Sequence, residues 1–113
     1  MDRQELEKLT RDYQLVQEQL QTLALQKEQF TLQKEEHKIA LAELEKASGK
    51  VYISVGGVIV ETPKSDAISK IKERQDSIEM RLTIINKQYD EFVKKEKSMR
   101  EEITSALKTE KSQ

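Results

Sequence analysis

The side chains able to do chemistry in this chain are few: one histidine, His37, and no cysteine, so nucleophilic thiols, disulfides and thiolate metal sites are all excluded. A lone histidine works as a general base or metal ligand only with acidic or basic partners converging on it. His37 instead falls at a regular helical spacing between Lys34 and Leu41, where it reads as a polar layer of a helix–helix seam. The paired carboxylates, Glu35-Glu36 and Glu101-Glu102, are neighbours along a helix and point about 100° apart, so they cannot converge on one substrate. Gly56-Gly57 lacks the following GK[ST] of a phosphate loop. The run Lys94-Lys95-Glu96-Lys97 is interrupted by acid and reads as a solvated face. The sequence predicts no enzyme and no cofactor.

What positions such residues is a chain of unusual composition. Charged residues make up 36 % of its 113 residues and aromatics 4 %, too few large apolar groups for a compact globular core to offset chain entropy. Net charge is −1 with the signs interleaved, so the basic face of a nucleic-acid binder is missing. The start, MDRQELEKL, has no apolar core of a secretory signal, and no run approaches the ~20 apolar residues of a membrane span. Together with the absence of cysteine, this predicts a soluble, cytoplasmic protein without membrane or nucleic-acid partners.

Apolar residues in the first half advance by three and four: Leu6, Leu9, Tyr13, Val16, Leu20, Leu23, Phe30, Leu41 and Leu44, with Lys27, Lys34 and His37 in the same register. This is a coiled-coil seam with a polar patch. The second half repeats it through Ile68, Ile71, Ile78, Leu82, Ile85, Tyr89, Phe92, Met99, Ile103 and Ala106, interrupted by Gln75 and Glu96. The spacing predicts helix 1 over about 2–48, ended at Ser48-Gly49, and helix 2 over about 64–110, started by Thr62 or Ser65 as cap with Pro63 in the first turn. Equal halves reversed at Gly56-Gly57 lie antiparallel, which sets Leu6 near Leu107, Tyr13 near Met99, Phe30 near Leu82 and Ile85, and His37 opposite Gln75. Leu25, Leu32 and Ile39 repeat every seven residues on the opposite side of helix 1. Either the seam shifts locally to meet them, or they face a second surface.

Between the helices lies VYISVGGVIVET, residues 51–62. Gly-Gly suits a type I′ turn, where both central residues need positive φ, so the hairpin (about 50–62) pairs Val55 with Val58, Ile53 with Val60 and Val51 with Thr62. A lone two-stranded hairpin is marginal in water. With the helices leaving from its open end, little beside this one covers its apolar face. Burying five Val/Ile side chains is worth on the order of 10 kcal/mol at most. The ribbon of Val51, Ile53, Val55, Val58, Ile59 and Val60 therefore reads as an oligomerisation device, its alternative being a fold back on its own helices.

A helix, Val51-Tyr52, the Val55-Gly56 turn, Val58-Ile59-Val60, then PKSDAISKIKER opening a second helix of matching length, resembles the beta-type subunit of prefoldin in its archaeal form, over nearly the whole chain. Two positions that are usually basic in that family are Ile53 and Glu61 here, and the family's Pro-containing leader is missing. The resemblance implies a mainly α fold in a single domain over residues 1–113: a long antiparallel two-helix coiled coil with one central β-hairpin that joins an intersubunit β-barrel. It further implies a hexamer of two alpha-type and four beta-type subunits, working as an ATP-independent chaperone that holds unfolded or nascent polypeptides and delivers them to a group II chaperonin.

The residues themselves point to a compatible mechanism. Where helix ends fray, the seam residues near both termini, Leu6, Leu9, Tyr13, Met99, Ile103 and Leu107, become accessible to apolar segments of a client, and several arms on one platform bind with avidity. The alternative is a passive scaffold or tether that oligomerises through the hairpin and grips one folded partner. An RNA-gripping arm is disfavoured by balanced charge and scarce aromatics.

Overall fold

The computed structural model describes the backbone of residues 1–111 and the side chains of residues 1–109. Its elements run α1 (Arg3–Lys46), β1 (Val51–Val55), β2 (Val58–Thr62) and α2 (Lys64–Lys111). Helix α1 opens on a reciprocal cap. The Glu5 amide donates to Asp2 Oδ1 at 2.8 Å, while the Asp2 amide donates to Glu5 Oε2 at 3.4 Å. Two of the amides that a helix start leaves unpaired are thereby satisfied. The helix ends at Lys46, followed by Gly49 at φ +99°, a conformation that favours glycine. Lys64, the first residue of α2, reaches back to donate to the carbonyls of Glu45 (2.9 Å) and Ala47 (3.2 Å), placing a cation on the negative end of α1.

The strands pair Val51↔Thr62, Ile53↔Val60 and Val55↔Val58, the register that a two-residue turn requires. Gly56 and Gly57 hold φ of +55° and +84°, as the turn demands. Helix α2 begins at once: the Ala67 amide donates to the Pro63 carbonyl at 3.0 Å, so Pro63 accepts the first helical bond. The Thr62 hydroxyl donates to Val60 O at 3.1 Å instead of facing α2, and so does not act as its cap in the way the sequence allows.

The chain forms two units, Met1–Lys27 with the segment from Ile84 onward, and Glu28–Thr83. In the Glu28–Thr83 unit, the root of the hairpin is not left bare. Val51 and Ile53, each 7 % exposed, pack with fully buried Ala67, and Leu44 of α1 and Ala47 just beyond its end close over them. This corrects the expectation that little covers the ribbon: its first two inward residues belong to the subunit's own core. The reason is Ala67, whose methyl group lets the first turn of α2 come close to β1. The turn half differs. Val55, Val58, Ile59 and Val60 remain 44 %, 61 %, 73 % and 45 % exposed.

In the same unit Ile71, Ile78 and Leu82 are buried along α2, and Phe30, Leu41 and Leu44 face the seam half-buried. Polar seam positions keep their places. Lys34 pairs with Glu79 (Nζ–Oε1 3.7 Å), and counting antiparallel from that pair brings His37 within one residue of Gln75. Each carries one buried atom without a hydrogen-bond partner, His37 Nδ1 and Gln75 Oε1. An unsatisfied buried polar atom costs more than an apolar replacement of both members. The double variant H37L/Q75L is expected to be more stable by about 2 kcal/mol, and each single variant to gain less than half of that. Urea melts of the four proteins measure it.

In the Met1–Lys27/Ile84-onward unit, Val16, Leu23 and Ile85 are buried, and Leu20, Tyr89 and Phe92 half-buried. Lys27 stays on the seam, its ammonium 5.0 Å from the centre of the Tyr89 ring, a favourable cation–π approach. With Lys27, Lys34 and His37 all half-buried at their seam positions, the helix does not turn to bury the second stripe. Leu25, Leu32 and Ile39 stay 57 %, 60 % and 62 % exposed.

Candidate functional site

Besides the Leu25, Leu32 and Ile39 stripe, two surfaces present apolar side chains to solvent or close beneath it. The first is the turn half of the hairpin. Alternation puts Val55, Val58 and Val60 on one face and Ile59 on the other, with Tyr52 beside it at 56 % exposure. The sheet has only two strands, so each strand offers a free edge. Along β1 runs a groove of about 490 Å³ whose apolar lining comes from Leu44, Ala47, Val51, Ile53 and Ile71. An open edge over an apolar trough suits a strand from another chain, because main-chain hydrogen bonds and side-chain burial are then gained together.

The second surface is the end of the helix pair that carries both termini. Five of the six residues singled out from the sequence, Leu6, Leu9, Tyr13, Met99 and Ile103, are half-buried in the seam. Leu107 is 45 % exposed, because Ala106 takes the seam position beside it. Tyr13 is also tied more specifically than spacing indicates. Its hydroxyl donates to Glu96 Oε1 at 2.8 Å, and Arg100 Nε lies 3.7 Å from the same oxygen. Glu96, which breaks the apolar pattern of α2, is thus held by a hydroxyl from across the seam.

The Tyr13 hydroxyl titrates above its ordinary value of 10.0, first because ionisation forfeits the bond to Glu96, then through burial and the negative charge of that carboxylate. A raised acid pKa adds stability that is present below pH 10.0 and is lost as pH rises through the higher folded value. Melting curves on either side of that pH are expected to fall more steeply for the wild type than for Y13F. Equal slopes would show that the contact contributes nothing.

Sequence spacing missed one member of this surface. Leu15 lies off the seam register and is 59 % exposed. It flanks a groove of about 250 Å³ with Val16, Phe92 and Met99, between Asp12 on α1 and Lys95 on α2. The available signal was a leucine outside the stripe near the chain start. The chemically suggestive acids, Glu35, Glu36, Glu101 and Glu102, are all exposed, and the described residues include no cluster of three or more His, Asp or Glu able to hold a metal. No described helix is long and apolar enough to cross a membrane.

Comparison with known proteins gives a consistent answer. The sequence pattern of the prefoldin-subunit family matches residues 7–110. The prefoldin subunit beta of Methanosarcina acetivorans is 38% identical over 96 residues, 83% of this chain and 82% of that protein. Its counterpart from Pyrococcus furiosus is 35% identical over 94 residues, 81% of this chain and 80% of that one. The crystal structure of the prefoldin beta subunit from Thermococcus strain KS-1 superposes with a TM-score of 0.82 at 32% identity, covering 91% of this chain and 92% of that one.

Proposed function

Since the chain belongs to the prefoldin subunit family, whose members are chaperone subunits that assemble with other prefoldin subunits, we propose that it is one beta-type arm of a hexamer of two alpha-type and four beta-type subunits. The hairpins of neighbouring subunits add to its free strand edges and close into a β-barrel platform. The arm ends hold unfolded or nascent polypeptide and hand it to a group II chaperonin in the cytoplasm. The chain works as one domain, with no catalytic step, nucleotide or cofactor of its own.

The observation that carries this reading is the uncovered turn half of the hairpin. Val55, Val58, Ile59 and Val60 form a sticky ribbon that the subunit's own helices leave bare, while Val51 and Ile53 root it in the subunit's own core. Exposed β-branched side chains on an unpaired edge are an aggregation hazard unless other strands cover them. At the other site, half-buried seam residues beside the termini become available when the last turns open, and weak contacts from several arms add up to useful avidity. Release then needs only a better acceptor.

The test is to purify the chain with and without an alpha-type subunit, measure the native mass, and assay suppression of aggregation of unrelated denatured proteins. A hetero-oligomer that protects several such proteins is the expected result. An oligomer that protects none would be a passive tether, and a monomer under both conditions would remove the platform.

A further inference from the structure

We propose that the outer face of α1 around Leu32 and Ile39 docks a basic amphipathic helix of a partner protein, which lies along α1 and sets its own apolar stripe on these two residues. This surface is distinct from the hairpin and from the residues near the termini, and its use requires neither a platform nor a client.

Both residues belong to the Glu28–Thr83 unit and are exposed, at 60 % and 62 %. Each stands two positions, about 200° around the helix, from a half-buried seam residue, Lys34 for Leu32 and Leu41 for Ile39, so α2 does not reach them. One exposed aliphatic side chain needs no explanation. A seven-residue interval is different, because two turns of helix return the second residue almost to the line of the first, where one partner helix meets both. The sequence carries the same interval back to Leu25. Charge then chooses the partner. The positions three or four residues from Leu32 and Ile39 are Glu28, Gln29, Glu35, Glu36, Ala42 and Glu43, a border with four carboxylates and no lysine or arginine. All four glutamates are exposed, and none joins an ion pair among the described residues. A second copy laid on this face would set the carboxylates against their own equivalents, and an anionic lipid surface would be repelled in the same way. An extended unfolded segment has no seven-residue period to match. A helix with lysine or arginine beside its apolar stripe gains burial at the centre and ion pairs along the rim, as the flanking positions of coiled coils do.

The experiment uses the full chain and a fluorescent synthetic helix of about three heptads, with leucine at its heptad-core positions and lysine beside them, read by anisotropy. Two control peptides accompany it: one with glutamate for every lysine, and one broken by proline so that it cannot form the helix. The wild type is expected to bind the lysine helix at least about tenfold more tightly than either control, and less tightly as salt is raised. L32S/I39S is expected to lose at least about tenfold in affinity for it, at unchanged native mass and helix content. E28K/E35K/E36K is expected to prefer the glutamate helix instead. Equal binding of the lysine and glutamate helices, equal binding of the broken peptide, or full binding by L32S/I39S would each overturn the proposal. A fall in native mass with L32S/I39S would overturn it too, since another copy of this chain or a subunit joined to it would then be what covers the stripe.

Discussion

The double variant V58D/I59D is expected to leave the subunit folded and to abolish its assembly. These are the two most exposed large apolar residues of the hairpin, at 61 % and 73 %, and they lie on opposite faces of the ribbon. Neither belongs to the Val51–Ile53–Ala67 core, so the register and the helix starts have no cause to change. In the proposed platform the same positions are covered, and each aspartate would then forfeit apolar burial and strand a charge. Leaving a buried charge unpaired costs about 3–5 kcal/mol. Two such sites weaken association by more than about a thousandfold. Native mass spectrometry reads the loss, and circular dichroism confirms that helix content stays. Full-mass oligomers from the variant would mean that the chains are joined elsewhere.

How far the residues alone announced this arrangement varies from element to element. The hairpin register was legible pair by pair, because a two-residue Gly-Gly turn between strands of period two leaves no other match. The seams were legible for the same kind of reason, and even their misfits, Lys27, Lys34 and His37, sit where the spacing places them. Periodicity within one segment does not say how closely two segments approach. That the hairpin root is covered from inside depends on Ala67, a small residue with no seam signature of its own. Spacing offered Thr62 or Ser65 as the cap of α2, whereas the Thr62 hydroxyl turns back to donate to Val60 O, a local bond that spacing does not reveal. The Asp2–Glu5 cap was readable as D-x-x-E, but an apolar-period search begins only at Leu6 and passes over it. Leu15 escaped likewise, since a search for a seam discards whatever lies beside it.

At the arm ends, L6S/L9S/I103S is expected to cut protection of denatured proteins at least about tenfold, since three aliphatic contacts worth on the order of 1 kcal/mol each are removed from every arm. All three residues are half-buried, so serine also loosens local helix pairing, and a loss of function could reflect melting alone. Asp2 separates the two causes. Its carboxylate receives the Glu5 amide at 2.8 Å, and D2A removes that cap, at about 1 kcal/mol of helix stability, without touching an apolar side chain. Fraying exposes the seam residues that D2A keeps and that the triple variant has lost. If those residues hold the client, D2A protects at least as well as the wild type while the triple variant fails, both at unchanged native mass. Equal failure of the two variants would mean that helix order at the ends, and not the apolar residues, is what clients require. Full protection by the triple variant would place the grip elsewhere on the arm.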